Sequence, residues 1–254
     1  MSRVSGIVVS HGHARELETL LPLLAPQVDE LVVVANLPAS VPAALPPGVR
    51  VLENAQPRRL SENVNLGTAA TSGAWVVFAN PDVLPGADAV GALVSFGETR
   101  ERCGLAGPRT VWPDGRWQPT RRRFPTVRGT VVRRTPLRRL RSPLDGQRDH
   151  YLLGEDVTAP VEADWLLGSF LLMRRAMLDE LGGWDEGFRH YVEDIDLAYR
   201  AMRAGWERWY VPTARVTHDW AQVIDRRFAS RHTLWHARGM ARFVRKHPES
   251  LGRL

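Results

Sequence analysis

The chain has 254 residues, 44% of them hydrophobic, and a formal charge of +6, enough length and apolar content to bury a full core as one large α/β domain or two small ones. Its single cysteine, Cys103, excludes an intramolecular disulfide framework, so nothing demands an oxidising compartment and the cytoplasm is the expected location. The opening MSRVSGIVVSHGH carries too short an apolar run for a signal peptide, and no later stretch approaches the roughly 20 apolar residues that span a bilayer.

In chain order, GIVVS (Gly6 to Ser10) predicts a strand, and ARELETLLPLL, with leucines at helical spacing, a helix. LVVVA (Leu31 to Ala35) and VRVLE (Val49 to Glu53) predict the next strands, separated by the proline-rich LPASVPAALPPG. NVNLGTAATSG reads as a helix stopped at Gly73, and AWVVFA (Ala74 to Ala79) as a buried strand. This alternation implies a mostly parallel sheet with helices on both faces. Ligands of such sheets bind beyond the carboxyl ends of the strands, which draws attention to Asn80-Pro81-Asp82.

The stretch Arg121 to Arg148 holds ten arginines and one acid, Asp145, making it +9 and leaving −3 for the rest. Broken by Pro125, Pro136 and Pro143, it reads as an extended surface arm. Its charge suits phosphates of a lipid head group, a nucleic acid or a diphosphate-bearing substrate, or else a merely solvated face. Positive charge without a zinc finger or an aromatic RNA-recognition strand gives no reason to expect nucleic acid as a partner.

DWLLGSFLLMRR (Asp164 to Arg175) predicts a strand or strand pair, AMLDELGG a short helix ended by Gly182-Gly183, RWYVP and ARVTH further strands, and Ile224 to Lys246 a basic amphipathic helix. Between them HYVEDIDLAYRAMRAGW (His190 to Trp206) places Ile195, Ala198, Tyr199 and Met202 on one helical stripe, with Glu193, Asp194 and Asp196 in the first turn. Acids there are stabilised by the helix dipole by about 0.3–1 kcal/mol each, so the cluster alone is no proof of a site. The glycine- and aromatic-rich approach LGGWDEGFRHYV, the second carboxylate Asp82 and His218 at the end of a later strand favour a site with a base and oxygen-rich metal ligation. No zinc-spaced Cys/His cluster, P-loop or dinucleotide fingerprint is present.

Taken together, GIVVS, LVVVAN, SENVNLG, FANPDV, GPRTVWPDGRWQPTRRRFPT, DWLLGSFLLMRR, LGGWDEGFRHYVEDIDLAYRAMRAGW and YVPTARVTH resemble glycosyltransferase family 2, nearest its rhamnosyltransferase-like subgroup of bacterial cell-wall and polysaccharide enzymes. The resemblance implies a single GT-A domain over residues 1–254: a nucleotide-sugar half (1–110), the basic arm (111–160), an acceptor and catalytic half (161–223) and the C-terminal helix (224–254). It further implies inverting transfer from a dTDP- or UDP-sugar such as dTDP-rhamnose to a glycan or polyprenyl-diphosphate-linked acceptor, with a divalent metal, Mg2+ or Mn2+.

Residue by residue, the resemblance implies that Asp194 is the general base, with Glu193 orienting the acceptor or the base and Asp196 a capping or structural acid. It assigns the donor to Ser10, Asn36, Asn63, Asn80 and Asp82, the metal to Asp82 and His218, the sugar pocket to Trp165, Gly168 and Ser169, and the acceptor to Trp184 and Asp185. Both tryptophans have an alternative as core residues. Arm and C-terminal helix would then face an anionic membrane, with the protein peripheral at the inner face of the plasma membrane. Ala35 stands where the family usually has a base-binding aspartate, and Ser10-His11-Gly12 where it has Thr-Tyr-Asn. These departures leave open a nucleotide- or glycan-binding relative with little or no turnover.

Overall fold

The computed structural model describes residues 2–125, 156–219 and 231–252. The apolar, β-branched runs of the first half form β1 (Val4–Ser10), β2 (Glu30–Ala35), β3 (Val49–Glu53) and β4 (Trp75–Ala79), all parallel, in the spatial order β3-β2-β1-β4. Every residue of β1 and β4 is buried, because helices cover both faces of the sheet.

From β4 the sheet continues through β11 (Phe170–Arg174), β6 (Cys103–Val111), β12 (Glu207–His218) and β5 (Val83–Pro85). β7 (Trp117–Gln118) hangs on β6 and β9 (Val161–Glu162) on β12, giving ten strands. β11 is antiparallel to both β4 and β6, while β6 and β12 are parallel. The sheet is therefore mixed on its second side. RWYVP and ARVTH form one continuous strand, β12, which absorbs two register shifts, and DWLLGSFLLMRR divides into β10 (Trp165–Leu166) and β11.

Helices α1 (Ala14–Leu24) and α3 (Ala89–Glu98) cover one face with α1's four fully buried leucines and with Val90, Leu93 and Val94. Each such leucine contributes about 1.5–3 kcal/mol of burial. The other face is covered by α2 (Leu60–Ala69), α4 (Arg175–Leu181), α5 (Glu193–Arg203) and α6 (Arg231–Lys246). α4 stops at Gly182, whose φ of 70° is the left-handed cap that glycine supplies without strain. The expected C-terminal helix is present from Arg231; residues 220–230 lie outside the described residues, as do 126–155 and with them most of the arginine-rich arm.

The beginning of that arm departs from expectation. Arg121 and Arg122 form β8 (Arg121–Arg122), a two-stranded antiparallel pair with β10 in which Trp165 faces Arg122 and Leu166 faces Arg121. Both arginines are buried. A run of arginines reads as solvated surface, but pairing with a strand more than 40 residues downstream draws these two inward, where their long aliphatic stems pack.

Candidate functional site

Parallel strands bring their carboxyl ends to one edge, and the residues there are polar: Ser10 ends β1, while Asn36, Asn54 and Asn80 immediately follow β2, β3 and β4. β12 runs parallel to β4 by way of β6 and β11, so its last residue, His218, arrives at the same edge. β11 runs the opposite way, so it is its beginning, after Gly168 and Ser169, that meets the end of β4: Phe170 pairs with Ala79, and the Asn80 amide donates to the Ser169 carbonyl at 2.8 Å.

At the carboxyl ends of β2 and β3, the Asn36 side chain is fully used within the chain. Its amide nitrogen donates to the Arg58 carbonyl and meets His11 Nδ1, each at 2.9 Å, while its oxygen accepts from Asn54 Nδ2 at 2.9 Å and from the Arg58 amide at 2.7 Å. Asn54 also donates to Asn63 at 2.6 Å, and Asn63 is fully buried. Asn36 and Asn63 thus hold the loop carrying Arg58, and the residues beside them, His11 and Arg58, are exposed. Ser10 is likewise committed: its hydroxyl donates to the Ser40 carbonyl and accepts from the His13 amide at 3.2 Å.

Asp82 lies in the turn between β4 and β5, and β5 pairs Val83 with His218. The pairing sets His218 Nε2 3.3 Å from Asp82 Oδ2, with the carboxylate side chain 40% exposed and the imidazole only 3%. Partial burial works against the Asp82 charge, but the hydrogen bond and charge of His218, with help from His13, outweigh it and hold the carboxyl below its usual range. Gln118 fixes the end of β12 by donating to the His218 carbonyl at 2.6 Å. Among the described residues no group of three or more His, Cys, Asp or Glu could hold a metal by itself. Asp82 and His218 fit a divalent ion that takes its remaining ligands from substrate phosphates and water, as Mg2+ and Mn2+ commonly do.

The acids meet this edge from the other side. Asp194 Oδ2 accepts from the Gly168 amide at 3.1 Å and its Oδ1 from the Ile195 amide at 2.9 Å. Burial pushes the Asp194 carboxyl up, opposed by those two amides and by the charge of Arg122. Glu193 is 5% exposed, its Oε2 finds no hydrogen-bond partner among the described residues, and burial together with the Asp194 charge pushes its carboxyl well above the usual range. Burial thus raises both carboxyls, and at Asp194 the two amides and the charge of Arg122 work the other way, favouring its charged form. Immediately upstream, Tyr191 and Val192 have φ of 72° and 76°, a conformation that costs a non-glycine residue about 1–2 kcal/mol.

The remaining assignments divide. Gly168 and Ser169 lie at the junction of the two sides. Trp165 and Trp184 are buried, 3% and 2% exposed, and their indole N–H groups are taken by the Arg123 carbonyl at 2.7 Å and Met173 Sδ at 3.3 Å. Asp185, expected at the acceptor, is bound to Arg242 at 2.8 Å and Lys246 at 2.7 Å, and these partners with the Gly187 amide overcome burial to lower its carboxyl to about 2. Asp196 caps nothing. It is fully buried and paired with Arg200, Lys246 and His247 at 2.7, 2.9 and 2.8 Å, so it ties α5 to the C-terminal helix.

Sequence reasoning overlooked Arg122, Asn54 and Asn65. Asn65 receives the Trp184 amide and returns a hydrogen bond to the Trp184 carbonyl, both at 2.9 Å. Asn54 had a usable signal, the same place after its strand that Asn36 and Asn80 occupy.

Residues 31–237 match the family model described as glycosyltransferase like family 2. Two curated relatives are rhamnosyltransferases. The chain is 38% identical over 158 residues, 61% of its own length and 50% of the relative's, to the N-acetylglucosaminyl-diphospho-decaprenol L-rhamnosyltransferase of Mycobacterium tuberculosis. It is 34% identical over 90 residues, 35% of this chain and 34% of the relative, to the rhamnosyltransferase WbbL of Escherichia coli K12. The chain thus spans about half or less of the length of these relatives.

Among solved structures, GalNAc-T7 with UDP, GalNAc and Mn2+ superposes over 96% of this chain and 48% of its own with a TM-score of 0.66 at 17% identity. The Pyrobaculum calidifontis mannosyltransferase PcManGT with GDP-Man and Mn2+ covers 87% of this chain and 58% of its own, TM-score 0.56, at 17% identity. These likenesses establish the GT-A fold. With the family model spanning residues 31–237, most of its length, the chain belongs to the glycosyltransferase-like family 2.

Proposed function

We propose that the protein transfers a sugar, with inversion, from a nucleoside-diphosphate sugar to a hydroxyl of a lipid-linked or polysaccharide acceptor, and that Asp194 is the general base. The observation that carries this reading is the pinning of Asp194 by Gly168 at the sheet edge that also bears Asp82 and His218. A base on one side of the anomeric carbon and anion-stabilising groups on the other is what a direct displacement requires.

In the step, an Asp194 oxygen takes the proton of the acceptor hydroxyl as that oxygen bonds to the anomeric carbon. The bond from that carbon to the donor phosphate breaks, and its electron pair leaves on the nucleoside diphosphate. Glu193, keeping its own proton, does not compete for the acceptor's and leaves a single negative charge at the base. Asp82 and His218 would hold Mg2+ or Mn2+ against the diphosphate, where the ion would offset the charge that accumulates on the leaving group. The Mn2+ bound with nucleotide or nucleotide sugar in GalNAc-T7 and PcManGT supports this metal class.

The relative from M. tuberculosis, named for a diphospho-decaprenol acceptor and L-rhamnose, supports dTDP-rhamnose as the first donor to try and a polyprenyl-diphosphate-linked sugar as the first acceptor. No helix among the described residues is long and apolar enough to cross a membrane. α6 instead turns the exposed Arg231, Leu234, Arg238 and Arg245 outward, and we assign that face to an anionic membrane surface where such an acceptor resides. Retention on vesicles containing anionic lipid at low salt tests this part.

The donor half is tested by calorimetric titration with dTDP, UDP and GDP, with and without Mn2+. Metal-dependent binding of one nucleotide supports the reading and names the donor class. Absence of binding under every condition favours a relative that has lost its donor site, for which the internal saturation of Asn36 and the presence of Ala35 are the motivating observations.

A further inference from the structure

Only three non-glycine residues among those described have a positive φ, Ala39, Tyr191 and Val192, and two of them are consecutive and directly precede the acid pair. A β-branched valine in the left-handed region is a true outlier, and such a conformation persists only where its surroundings hold it. Here the surroundings are α6. Tyr191 Oη shares a hydrogen bond with His232 Nδ1 at 3.0 Å, and the tyrosine ring packs on the rings of His232 and His236. Seven residues along α6 from His232, Gly239 lies against the strained peptide itself: a Cβ there would stand 3.0 Å from the Tyr191 carbonyl oxygen and 3.0 Å from Val192 Cγ2.

The second half of α6 is clamped in turn, since Lys246 pairs with Asp196 of α5 and with Asp185, which also holds Arg242. The strained turn is thus gripped from the helix that follows the site in sequence. The family match ends at residue 237, so Gly239, Arg242 and Lys246 lie beyond the matched region.

We infer that α6 is a positioning element of the active centre, and that His232 and Gly239 hold the left-handed Tyr191–Val192 turn and so set Asp194 against Gly168. The inference rests on the reading of Asp194 as base. A released turn relaxes toward ordinary backbone geometry, and the acids it carries swing with it. Because the donor residues stand on other elements, donor binding is left intact.

The test uses the full-length protein and two readouts, hydrogen exchange of the amides of residues 191–197 and steady-state transfer from dTDP-rhamnose. Gly239→Ala and His232→Ala should each speed exchange in that segment by about tenfold or more and lower kcat by about tenfold, with dTDP affinity and donor KM within about twofold. His232→Asn, whose side-chain oxygen can accept from the tyrosine hydroxyl, should restore most of both losses, and Glu18→Gln on the exposed side of α1 should change neither. Exchange and kcat within twofold of wild type in both variants overturn the inference. If Gly239→Ala does not fold, the two His232 variants decide. If the wild-type protein transfers no sugar, the exchange data alone judge the role of α6, and the missing turnover counts against the proposed function instead.

Discussion

Asp194 and Gly168 approach each other so closely that a methyl group at residue 168 would lie 3.2 Å from Asp194 Cβ, with the Trp184 ring 3.5 Å away on its other side. The Gly168 amide donates to Asp194 at 3.1 Å across this same gap. Gly168→Ala should therefore displace the carboxylate by a few tenths of an ångström and lower kcat by about tenfold, since small misplacements of a catalytic group carry large rate costs. The measurement is kcat beside nucleotide affinity, and only the first should move.

Glu193 should cost the protein stability at neutral pH. Its carboxyl is raised in the folded state by burial and by Asp194, whereas the unfolded chain titrates it near about 4.3. Between those values the folded state binds a proton that the unfolded state does not, so this group's contribution falls as pH rises from about 4.3 through the folded value. Glu193→Gln removes that slope and should gain on the order of 1 kcal/mol at pH 8, while turnover drops. Denaturant melts of both proteins at pH 5 and pH 8 check it: the difference should be larger at pH 8.

Arg122 holds the Asp194 carboxyl down against burial, from a position beneath Trp165 with its guanidinium 5.0 Å from the ring. Arg122→Met keeps the packing and removes the charge, so Asp194 should protonate at higher pH. The acid limb of the kcat profile should shift toward alkaline pH, with a fall of roughly tenfold at neutral pH. A pH–rate profile of the variant beside wild type reads the shift.

Asp196 gathers Arg200, Lys246 and His247 around one fully buried carboxylate. Removing one member of such a cluster leaves its partners uncompensated and costs about 3 kcal/mol. Asp196→Ala should lose stability of that size in urea melts, whereas a variant at the exposed Arg116–Asp114 pair should lose under about 1 kcal/mol.

The carboxyl edge of the sheet was the most legible part of the sequence, because β-branched runs report strands and the residues just after them, Asn36, Asn80 and Asp82, report the edge. Asp194 and His218 were singled out through the resemblance to glycosyltransferase family 2. What escaped depends on contacts distant in sequence. Arg121 and Arg122 look like the start of a solvated arm until β10 pairs with them, and Asp185 looks free until Arg242 and Lys246 reach it from α6. The left-handed Tyr191–Val192 turn has no local signal, since valine disfavours that geometry and only Gly239, far along the chain, permits it. Helix α3 and strand β6 carry no polar alternation to announce them, because each packs within the core.

The central claim is that Asp194 takes the acceptor proton while the donor binds to other residues. Asp194→Asn, assayed for transfer from dTDP-rhamnose and titrated with dTDP and Mn2+, tests both halves at once. The account predicts a loss of kcat of about 10²–10⁴-fold with nucleotide affinity within about threefold of wild type. Turnover within tenfold of wild type would contradict it.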